Sequence, residues 1–151
     1  MKMFFPGSFD PPTIGHADII KRLSGMCDKL YVGVLVNIKK NTRYSLEERA
    51  EMLRRIASEY PNVEVVRSEG LLVDAVRRLG ADVIVKGLRN GTDFQYELDM
   101  AQVNRRISGI ETVFIQTAPE YASVSSSIVR ELMAFNGDVS GFVPDCITEL
   151  L

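Results

Sequence analysis

The only histidine of this 151-residue chain, His16, ends a turn rich in glycine, proline and hydroxyl groups. The turn, residues 5–16 (FPGSFDPPTIGH), follows the apolar run Met3, Phe4 and Phe5 and precedes apolar residues at helical spacing. This pattern predicts a strand joined to a helix, with His16 in the helix's first turn. Free backbone N–H groups and the positive dipole end favour an anion there, and a histidine can add a hydrogen bond to a phosphate oxygen.

The same turn also fits a structural role. A lone histidine is more often structural than catalytic, and Pro-Gly and Pro-Pro pairs are common in ordinary loops. The string contains neither the Walker phosphate loop nor the glycine fingerprint of dinucleotide-binding domains. Its place between a strand and a helix nevertheless favours a phosphate site.

Two further segments carry groups that bind phosphate. Lys86 and Arg89 stand in a glycine-containing stretch, residues 86–91 (KGLRNG), which we predict to be a loop after a strand. Lysine offers a mobile point charge and arginine a bidentate fork. The three serines of residues 125–127 open a predicted helix, where hydroxyls and free amides can hold a phosphate or simply cap the helix.

Other candidate residues are less specific. Lys39 and Lys40 follow a predicted strand, Leu71 and Leu72 begin a predicted helix, and Glu97 lies on a long one. The lysines fit a cation above an anionic substrate or a solvated loop. The leucines fit an apolar slot or core packing, and the spacing of Glu97 does not decide between a nucleotide contact and a surface carboxylate.

Composition excludes several classes of protein. The formal charge of −2 gives no general attraction to nucleic acid. A content of 46% hydrophobic residues suffices for a core that needs no disulfide or metal to stabilise it. Cys27 and Cys146 lack a partner motif, so we expect reduced thiols, a cytoplasmic location and no metal site built from protein ligands. We expect no signal peptide, because Pro6 and Gly7 interrupt the first apolar stretch, and no membrane-spanning segment, because no apolar run is long enough.

Strand and helix patterns alternate along the chain. Apolar runs predict five strands, and helical periodicity with cap signals predicts the helices between them. The predicted strands are 3–5, 30–36, 63–66, 82–85 and 112–115, and the predicted helices are 15–25, 45–57, 72–79, 92–107, 125–135 and 144–151. The expected fold is α/β: a Rossmann-like, doubly wound, five-stranded parallel sheet in a single domain spanning residues 1–151.

The carboxyl ends of such strands meet at one edge of the sheet, where ligands bind. The segments predicted to follow the five strands bring cations, hydroxyls, glycines and helix starts to that edge. One histidine and no nucleophile elbow argue against a hydrolase triad or a covalent intermediate. Attack of an ionised phosphate on a nucleotide α-phosphate fits, because the nucleophile needs no deprotonation.

These segments resemble a known family. The string TIGH (residues 13–16) resembles the (H/T)-x-G-H signature of the nucleotidyltransferase superfamily, and SSSIVR (residues 125–130) resembles its second signature. Within it, the chain is most similar to bacterial phosphopantetheine adenylyltransferases. The supporting strings are PGSFDP (6–11), SLEER (45–49), KGLR (86–89), DFQYE (93–97) and GDV (137–139), which run in order over essentially the whole chain.

The resemblance implies an enzyme of coenzyme A biosynthesis, a pantetheine-phosphate adenylyltransferase. Such an enzyme joins 4′-phosphopantetheine to the adenylyl group of ATP, with Mg²⁺, and releases dephospho-coenzyme A and pyrophosphate. It also implies a cytoplasmic homohexamer, coenzyme A as a feedback ligand, and no nucleic-acid or membrane partner.

Residue roles follow from the same resemblance. His16 would stabilise the transition state, with Lys40 and Arg89 also catalytic. The acceptor would be bound by Ser8, Lys40, Leu72 and Lys86. ATP would be bound by Ser8, Phe9, His16, Gly87, Leu88, Arg89, Glu97, Tyr121, Ala122, Ser123, Val124, Ser125, Ser126 and Ser127.

The chain departs from the family pattern at three positions. Ser8 stands where threonine is usual, Lys86 where some members have arginine, and Tyr121 where some have tryptophan. Two other functions remain open: a sister nucleotidyltransferase acting on nicotinate mononucleotide or a small alcohol phosphate, and a non-catalytic nucleotide-binding regulator. The strings at residues 86–89 and 93–97 argue against the sister enzyme.

Overall fold

The chain alternates strands and helices from end to end. Our computed structural model describes residues 1–36, 39 and 41–151. The strands are β1 (Lys2–Gly7), β2 (Lys29–Leu35), β3 (Val63–Ser68), β4 (Val83–Leu88) and β5 (Glu111–Gln116). The helices are α1 (Ile14–Ser24), α2 (Leu46–Ala57), α3 (Leu72–Leu79), α4 (Gly91–Ser108) and α5 (Ser126–Ala134), with 3₁₀ helices at Pro119–Tyr121 and Asp145–Leu150.

The five strands form one parallel sheet in the order β3-β2-β1-β4-β5. The chain first winds outward from β1 through β2 to β3, then crosses back to β4 and winds the other way to β5. The strand order therefore reverses between β1 and β4, which is the switch point where α/β sheets bind ligands. The predicted Rossmann-like, five-stranded parallel sheet is confirmed.

Apolar side chains cover both faces of the sheet. The larger cluster packs α1, α2 and α5 against one face, through Ile20, Leu53 and Val129 among others. The smaller cluster packs α3 against the other face, around the fully buried Phe4 and Ile84. Sheets covered on both faces need continuous apolar strands, and the two central strands β1 and β2 have them.

Close packing across β1 and β2 depends on a glycine. A Cβ on Gly33 would lie 2.3 Å from Cζ of Phe4, on the neighbouring strand. Phe4 has no exposed surface, so its ring has no free space to move into. Glycine at this point of β2 therefore lets a phenylalanine ring fill the centre of the sheet.

The helix starts follow the cap signals of the sequence. Ser45 accepts a hydrogen bond from the amide of Glu48, and Glu48 accepts one from the amide of Ser45, as its capping box predicts. Gly80 ends α3 with a left-handed φ of 64°. Such a conformation costs glycine least, so this helix end is also confirmed.

Two predictions about local structure are wrong. The segment 144–151 forms a short 3₁₀ helix at Asp145–Leu150 rather than an α-helix. Lys86, Gly87 and Leu88 belong to β4, so they are not in the loop after it.

No helix in the described part of the chain is long and apolar enough to cross a membrane.

Candidate functional site

A cleft of about 410 Å³ opens at the switch point of the sheet. β1 pairs with β2 over six residues but with β4 at only two positions, Met3–Val83 and Phe4–Ile84. Beyond these pairs no ladder joins β1 to β4, and Gly7 of β1 and Gly87 of β4 line the cleft. Its volume lies within the range of small-ligand sites.

His16 lies in the wall of the cleft at the third position of α1, where it closes a capping box. Thr13, the N-cap residue, donates its backbone N–H to Nδ1 of His16 at 3.0 Å. In turn, the amide of His16 donates to the Thr13 hydroxyl at 3.4 Å. Because Nδ1 accepts a hydrogen bond, the neutral ring carries its proton on Nε2. His16 therefore offers an N–H donor to a ligand in the cleft.

The surroundings of His16 disfavour a charged ring. Desolvation, together with the smaller effect of the positive charge of Arg89, lowers its pKa from 6.5 to about 4. The Phe9 ring packs edge-on against it, with centroids 5.0 Å apart. At neutral pH His16 is therefore an uncharged hydrogen-bond donor and not a protonated general acid.

The turn that follows β1 has a strained backbone at Phe9, whose φ is 50°. Its ring is 2% exposed and packs edge-on against Phe5 as well as His16. A Cβ on Gly7 would lie 2.8 Å from the Phe9 ring, so glycine is needed beside it. Burial of the ring thus holds the turn in a shape that leaves Ser8 in the cleft wall.

Both cations expected on the opposite wall are paired with carboxylates from α4. Nζ of Lys86 lies 3.3 Å from Oε2 of Glu97, and Nη2 of Arg89 lies 3.3 Å from Oδ2 of Asp93. The Lys86 and Glu97 side chains are 21% and 23% exposed. A phosphate that binds either cation must compete with a carboxylate already in place.

The start of α5 forms a third wall. Ser125 caps this helix by accepting a hydrogen bond from the amide of Ile128 at 3.2 Å. The hydroxyl of Ser126 donates to the carbonyl of Pro11 at 2.7 Å. The structural explanation for Ser125 thus holds, yet the amides of Ser126 and Ser127, the first two of α5, have no acceptor within the helix and remain suited to an anion.

The cleft brings together most residues predicted for the site. Those that line it are Ser8, Phe9, His16, Lys86, Gly87, Arg89, Glu97, Val124, Ser125, Ser126 and Ser127. Lys40 lies outside the described residues, together with Asn37 and Ile38. Leu72 packs partly buried beside Phe4, whereas its neighbour Leu71 is 61% exposed.

Four predicted residues lie near the cleft but do not line it: Leu88, Tyr121, Ala122 and Ser123. Leu88 is the last residue of β4, and its carbonyl accepts a hydrogen bond from the Thr117 amide at 2.8 Å. Tyr121 ends the 3₁₀ helix Pro119–Tyr121. Its Cβ would lie 3.6 Å from a Cβ placed on Gly15 of α1. The segment 119–123 thus lies beside the helix that carries His16.

Sequence reasoning missed Thr13, Arg130 and Asp10 as members of the cleft wall. Nη1 of Arg130 donates to the Asp10 carbonyl at 2.7 Å and lies 3.7 Å from the Asp10 carboxylate. Helical spacing was the available signal for Arg130, since it stands four residues after Ser126 on the same face of α5. Nothing in the sequence marked the Asp10 carboxylate as buried.

The described residues contain no group of three or more histidine, cysteine, aspartate or glutamate side chains that could hold a metal ion. The cleft carboxylates nearest the phosphate-binding groups, Asp93 and Glu97, are paired with Arg89 and Lys86. This donor set suits Mg²⁺ carried by nucleotide phosphates and water better than a cage of protein ligands.

Comparison with known proteins identifies relatives over nearly the whole chain. Residues 4–132 match the family described as cytidylyltransferase-like. A phosphopantetheine adenylyltransferase from Clostridium perfringens is 48% identical over 146 residues, which is 96% of this chain and 89% of that protein.

Two further relatives bear the same name. One, from Caldanaerobacter subterraneus subsp. tengcongensis, is 47% identical and covers 97% of this chain and 92% of its own. The other, from Streptomyces coelicolor, is 49% identical, again over 97% of this chain and 92% of its own. Identity at this level over nearly the whole chain shows that these proteins share its fold.

Proposed function

Because the chain belongs to the phosphopantetheine adenylyltransferases of the cytidylyltransferase-like family, we propose that its cleft aligns ATP and 4′-phosphopantetheine for in-line transfer. The chain is thus an adenylyltransferase of coenzyme A biosynthesis, which makes dephospho-coenzyme A and pyrophosphate. A phosphate oxygen of the acceptor forms a bond to the α-phosphorus of ATP, and the bond from that phosphorus to pyrophosphate breaks. No covalent intermediate forms on the protein.

The observation that carries this mechanism is the hydrogen bond from the Thr13 amide to Nδ1 of His16. It leaves Nε2–H as the donor, and the low pKa keeps the ring neutral during turnover. Charge develops on the non-bridging oxygens of the α-phosphate as the acceptor attacks. A fixed N–H donor stabilises that charge without a proton transfer, and the ionised acceptor needs no base.

Walls of the cleft divide the substrates between them. On the ATP side stand Arg89, Glu97 and the start of α5, with Phe9 beside Ser8. On the acceptor side stand Ser8 and Lys86, with Lys40 and Leu72 assigned there by family resemblance alone. The acceptor phosphate would replace Glu97 as the ion-pair partner of Lys86. One partly exposed ion pair is thereby exchanged for a similar one.

Substituting His16 tests the mechanism. We expect His16→Ala to lower kcat by roughly 10²–10³, the usual effect of losing one such donor. His16→Gln retains an N–H near the position of Nε2 and should recover part of that loss. The measurement is pyrophosphate release at saturating substrates, with circular dichroism as the folding control. A kcat for His16→Ala within a few-fold of the parent would remove His16 from the mechanism.

Lys86→Ala tests the acceptor side. We expect it to raise the KM for phosphopantetheine more than the KM for ATP, because the ammonium is a point charge for the acceptor phosphate. An unchanged acceptor KM would contradict this placement. The same pyrophosphate assay with nicotinate mononucleotide or a small alcohol phosphate in place of phosphopantetheine separates the sister activity, and ATP binding without pyrophosphate release would indicate a regulator.

Mg²⁺ would enter with ATP. It would neutralise phosphate charge and help pyrophosphate leave, while Arg89 and the serines of α5 hold the phosphates. We expect chelation of divalent ions to abolish turnover but leave the thermal unfolding midpoint of the ligand-free protein unchanged. A large drop in that midpoint would instead indicate a structural metal.

Self-association, feedback and location remain proposals that the resemblance suggests. Exposed apolar residues fit a homohexamer: Met100, Val103 and Ile107 on α4 and Val113 on β5 are 40–51% exposed. Light scattering after gel filtration tests the hexamer, and inhibition by added coenzyme A tests the feedback ligand. The cytoplasmic location is tested by cell fractionation.

A further inference from the structure

Arg49 is a buried cation that the mechanism does not use. It is the fourth residue of α2 and only 3% exposed. Desolvation lowers its pKa, although an arginine stays charged in proteins. Burying a charge is costly, and an apolar side chain of similar volume often stabilises a fold equally well. Stability alone is therefore a weak explanation for a guanidinium at this position.

Within the described residues, the Arg49 side chain donates its hydrogen bonds to backbone carbonyls. Nη1 donates to Ser8 at 2.7 Å and to Leu35 at 3.1 Å, and Nε donates to Tyr44 at 3.1 Å. Ser8 follows the end of β1, Leu35 ends β2, and Tyr44 precedes the N-cap of α2. One guanidinium thus joins the ends of both central strands to the start of a helix.

A second buried group holds the same segment from the other side. The Asp10 carboxylate, 4% exposed as a residue, accepts hydrogen bonds from the amides of Arg43 and Tyr44, each at 2.9 Å. Its charge also offsets that of Arg49. The backbone of Tyr44 is therefore bound through its N–H by Asp10 and through its carbonyl by Arg49.

We propose that Arg49 is a positioning residue for the adenylyl transfer, which fixes the Ser8 backbone and the two ends of the β2–α2 connection relative to each other. This inference rests on the placement of Ser8 beside the acceptor in the proposed function. Arg49 itself does not line the cleft, so it acts through those backbone groups. The connection between Leu35 and Tyr44 carries Lys39 and Lys40, and both of its ends bind the same side chain.

The geometry predicts which kinetic step suffers. Within the described part of the chain, the Arg49 side chain forms no hydrogen bond to Arg89, Glu97 or the start of α5, which we assign to ATP, so ATP should bind almost normally without it. Alignment of the acceptor against the α-phosphate should fail instead, and a misplacement near 1 Å costs about 10²-fold in rate.

Three variants of the full-length protein test this role. Arg49→Met removes the donors and keeps the bulk, Arg49→Lys keeps the charge and fewer donors, and Arg54→Met removes an exposed arginine of the same helix. Arg54 pairs with Glu47 and Glu51 at the surface and serves as the matched control. Each is measured for kcat, KM of both substrates, ATP affinity by calorimetry, and thermal midpoint.

We expect Arg49→Met to lower kcat by about 10–100-fold, in line with a small misplacement, while its ATP Kd stays within about threefold. Arg49→Lys should regain part of the lost kcat, and Arg54→Met should match the parent. An Arg49→Met protein that is folded and has a parental kcat refutes the proposal. Equal losses of ATP binding and kcat also refute it, because they indicate general damage to the fold.

If Arg49→Met does not fold, Arg49→Lys decides. A folded Arg49→Lys with lowered kcat and unchanged ATP Kd supports the positioning role, and a parental kcat refutes it. The parent protein serves as the separate test of the reaction itself. If the parent bound ATP but released no pyrophosphate with phosphopantetheine, the assigned reaction would be wrong, and the inference that rests on it would fall with it.

Discussion

Acidification from pH 7 to pH 4 should titrate His16 in the unfolded chain long before it does so in the folded protein. Desolvation, aided by Arg89, places the native pKa at about 4 against an ordinary value of 6.5. The difference corresponds to about 3 kcal/mol, because one pKa unit is worth about 1.4 kcal/mol. Between these two pKa values the unfolded chain binds more protons than the native protein does.

The direction of the stability change follows from that difference. As the pH falls from about 6.5 to about 4, His16 alone should remove up to about 3 kcal/mol of folding free energy, and above about pH 6.5 its contribution is constant. Asp28, Glu48 and Asp138, whose pKa values are lowered by hydrogen bonds, lose their own stabilisation only as the pH falls through their range. Their contribution is common to the parent and to a His16 variant.

The assay has two parts. Nitrogen-edited NMR of the parent reports one imidazole, since the chain has a single histidine. It should show a neutral ring with the proton on Nε2 down to about pH 5, as the hydrogen bond from Thr13 requires. The second part is denaturant unfolding of the parent and of His16→Gln at several pH values. The free energy of unfolding of the parent, relative to that of His16→Gln, should decrease as the pH is lowered.

Two results would refute this reasoning. One is a native titration midpoint near the ordinary value of 6.5, which would mean that water reaches the ring freely. The other is a proton on Nδ1, which would exclude the capping geometry and leave no Nε2–H donor for the α-phosphate. Arg89→Met supplies a further check: it should raise the His16 pKa slightly, because Arg89 is the second cause of the shift.

Two further outcomes follow from contacts in the sheet and the cleft. Gly33→Ala should destabilise the fold by about 1–3 kcal/mol, the usual cost of overpacking, because its Cβ would lie 2.3 Å from the Phe4 ring. The measurement is urea unfolding. Gly25→Ala is the control, because its Cβ would make only an ordinary contact at 3.6 Å. Glu97→Gln should lower the KM for phosphopantetheine about 2–5-fold, since Lys86 loses the partner with which the acceptor phosphate competes and such a partly exposed pair is worth about 0.5–1 kcal/mol. Unchanged urea midpoints for Gly33→Ala, or a raised acceptor KM for Glu97→Gln, would count against these contacts.

Strand and helix order could be predicted because the pattern is strong where both sheet faces are buried. The continuous apolar run of β2 and the capping box of Ser45 and Glu48 are local signals, and the structure confirms both. The end of β4 was missed because Lys86 and Gly87 look like a loop. Lys86 instead pairs with Phe114 of β5, and a backbone ladder is not visible in side-chain chemistry.

The candidate site also contains residues that the sequence predicts and residues that it does not. Residues such as His16 and Arg89 carry chemistry that marks them in the sequence, and the fold brings them into one cleft. Asp10 binds the amides of Arg43 and Tyr44, and Arg49 binds the carbonyl of Ser8; each of these contacts spans more than thirty residues, so no local spacing could reveal them. Charged residues that bind mainly main-chain atoms resemble ordinary surface charges until the fold is known.

His16 shows how a helix cap and a reaction can require the same side chain. Glutamate or glutamine usually closes a capping box from this position, by accepting the N-cap amide. A glutamate would do so here but would bring a negative charge toward an α-phosphate, and it would have no N–H to donate. A histidine accepts the Thr13 amide on one nitrogen and keeps a donor on the other, while desolvation by its surroundings holds the ring neutral. The cap thus sets the tautomer that the transfer needs, and Thr13, which touches no phosphate in this scheme, becomes the residue on which that tautomer depends.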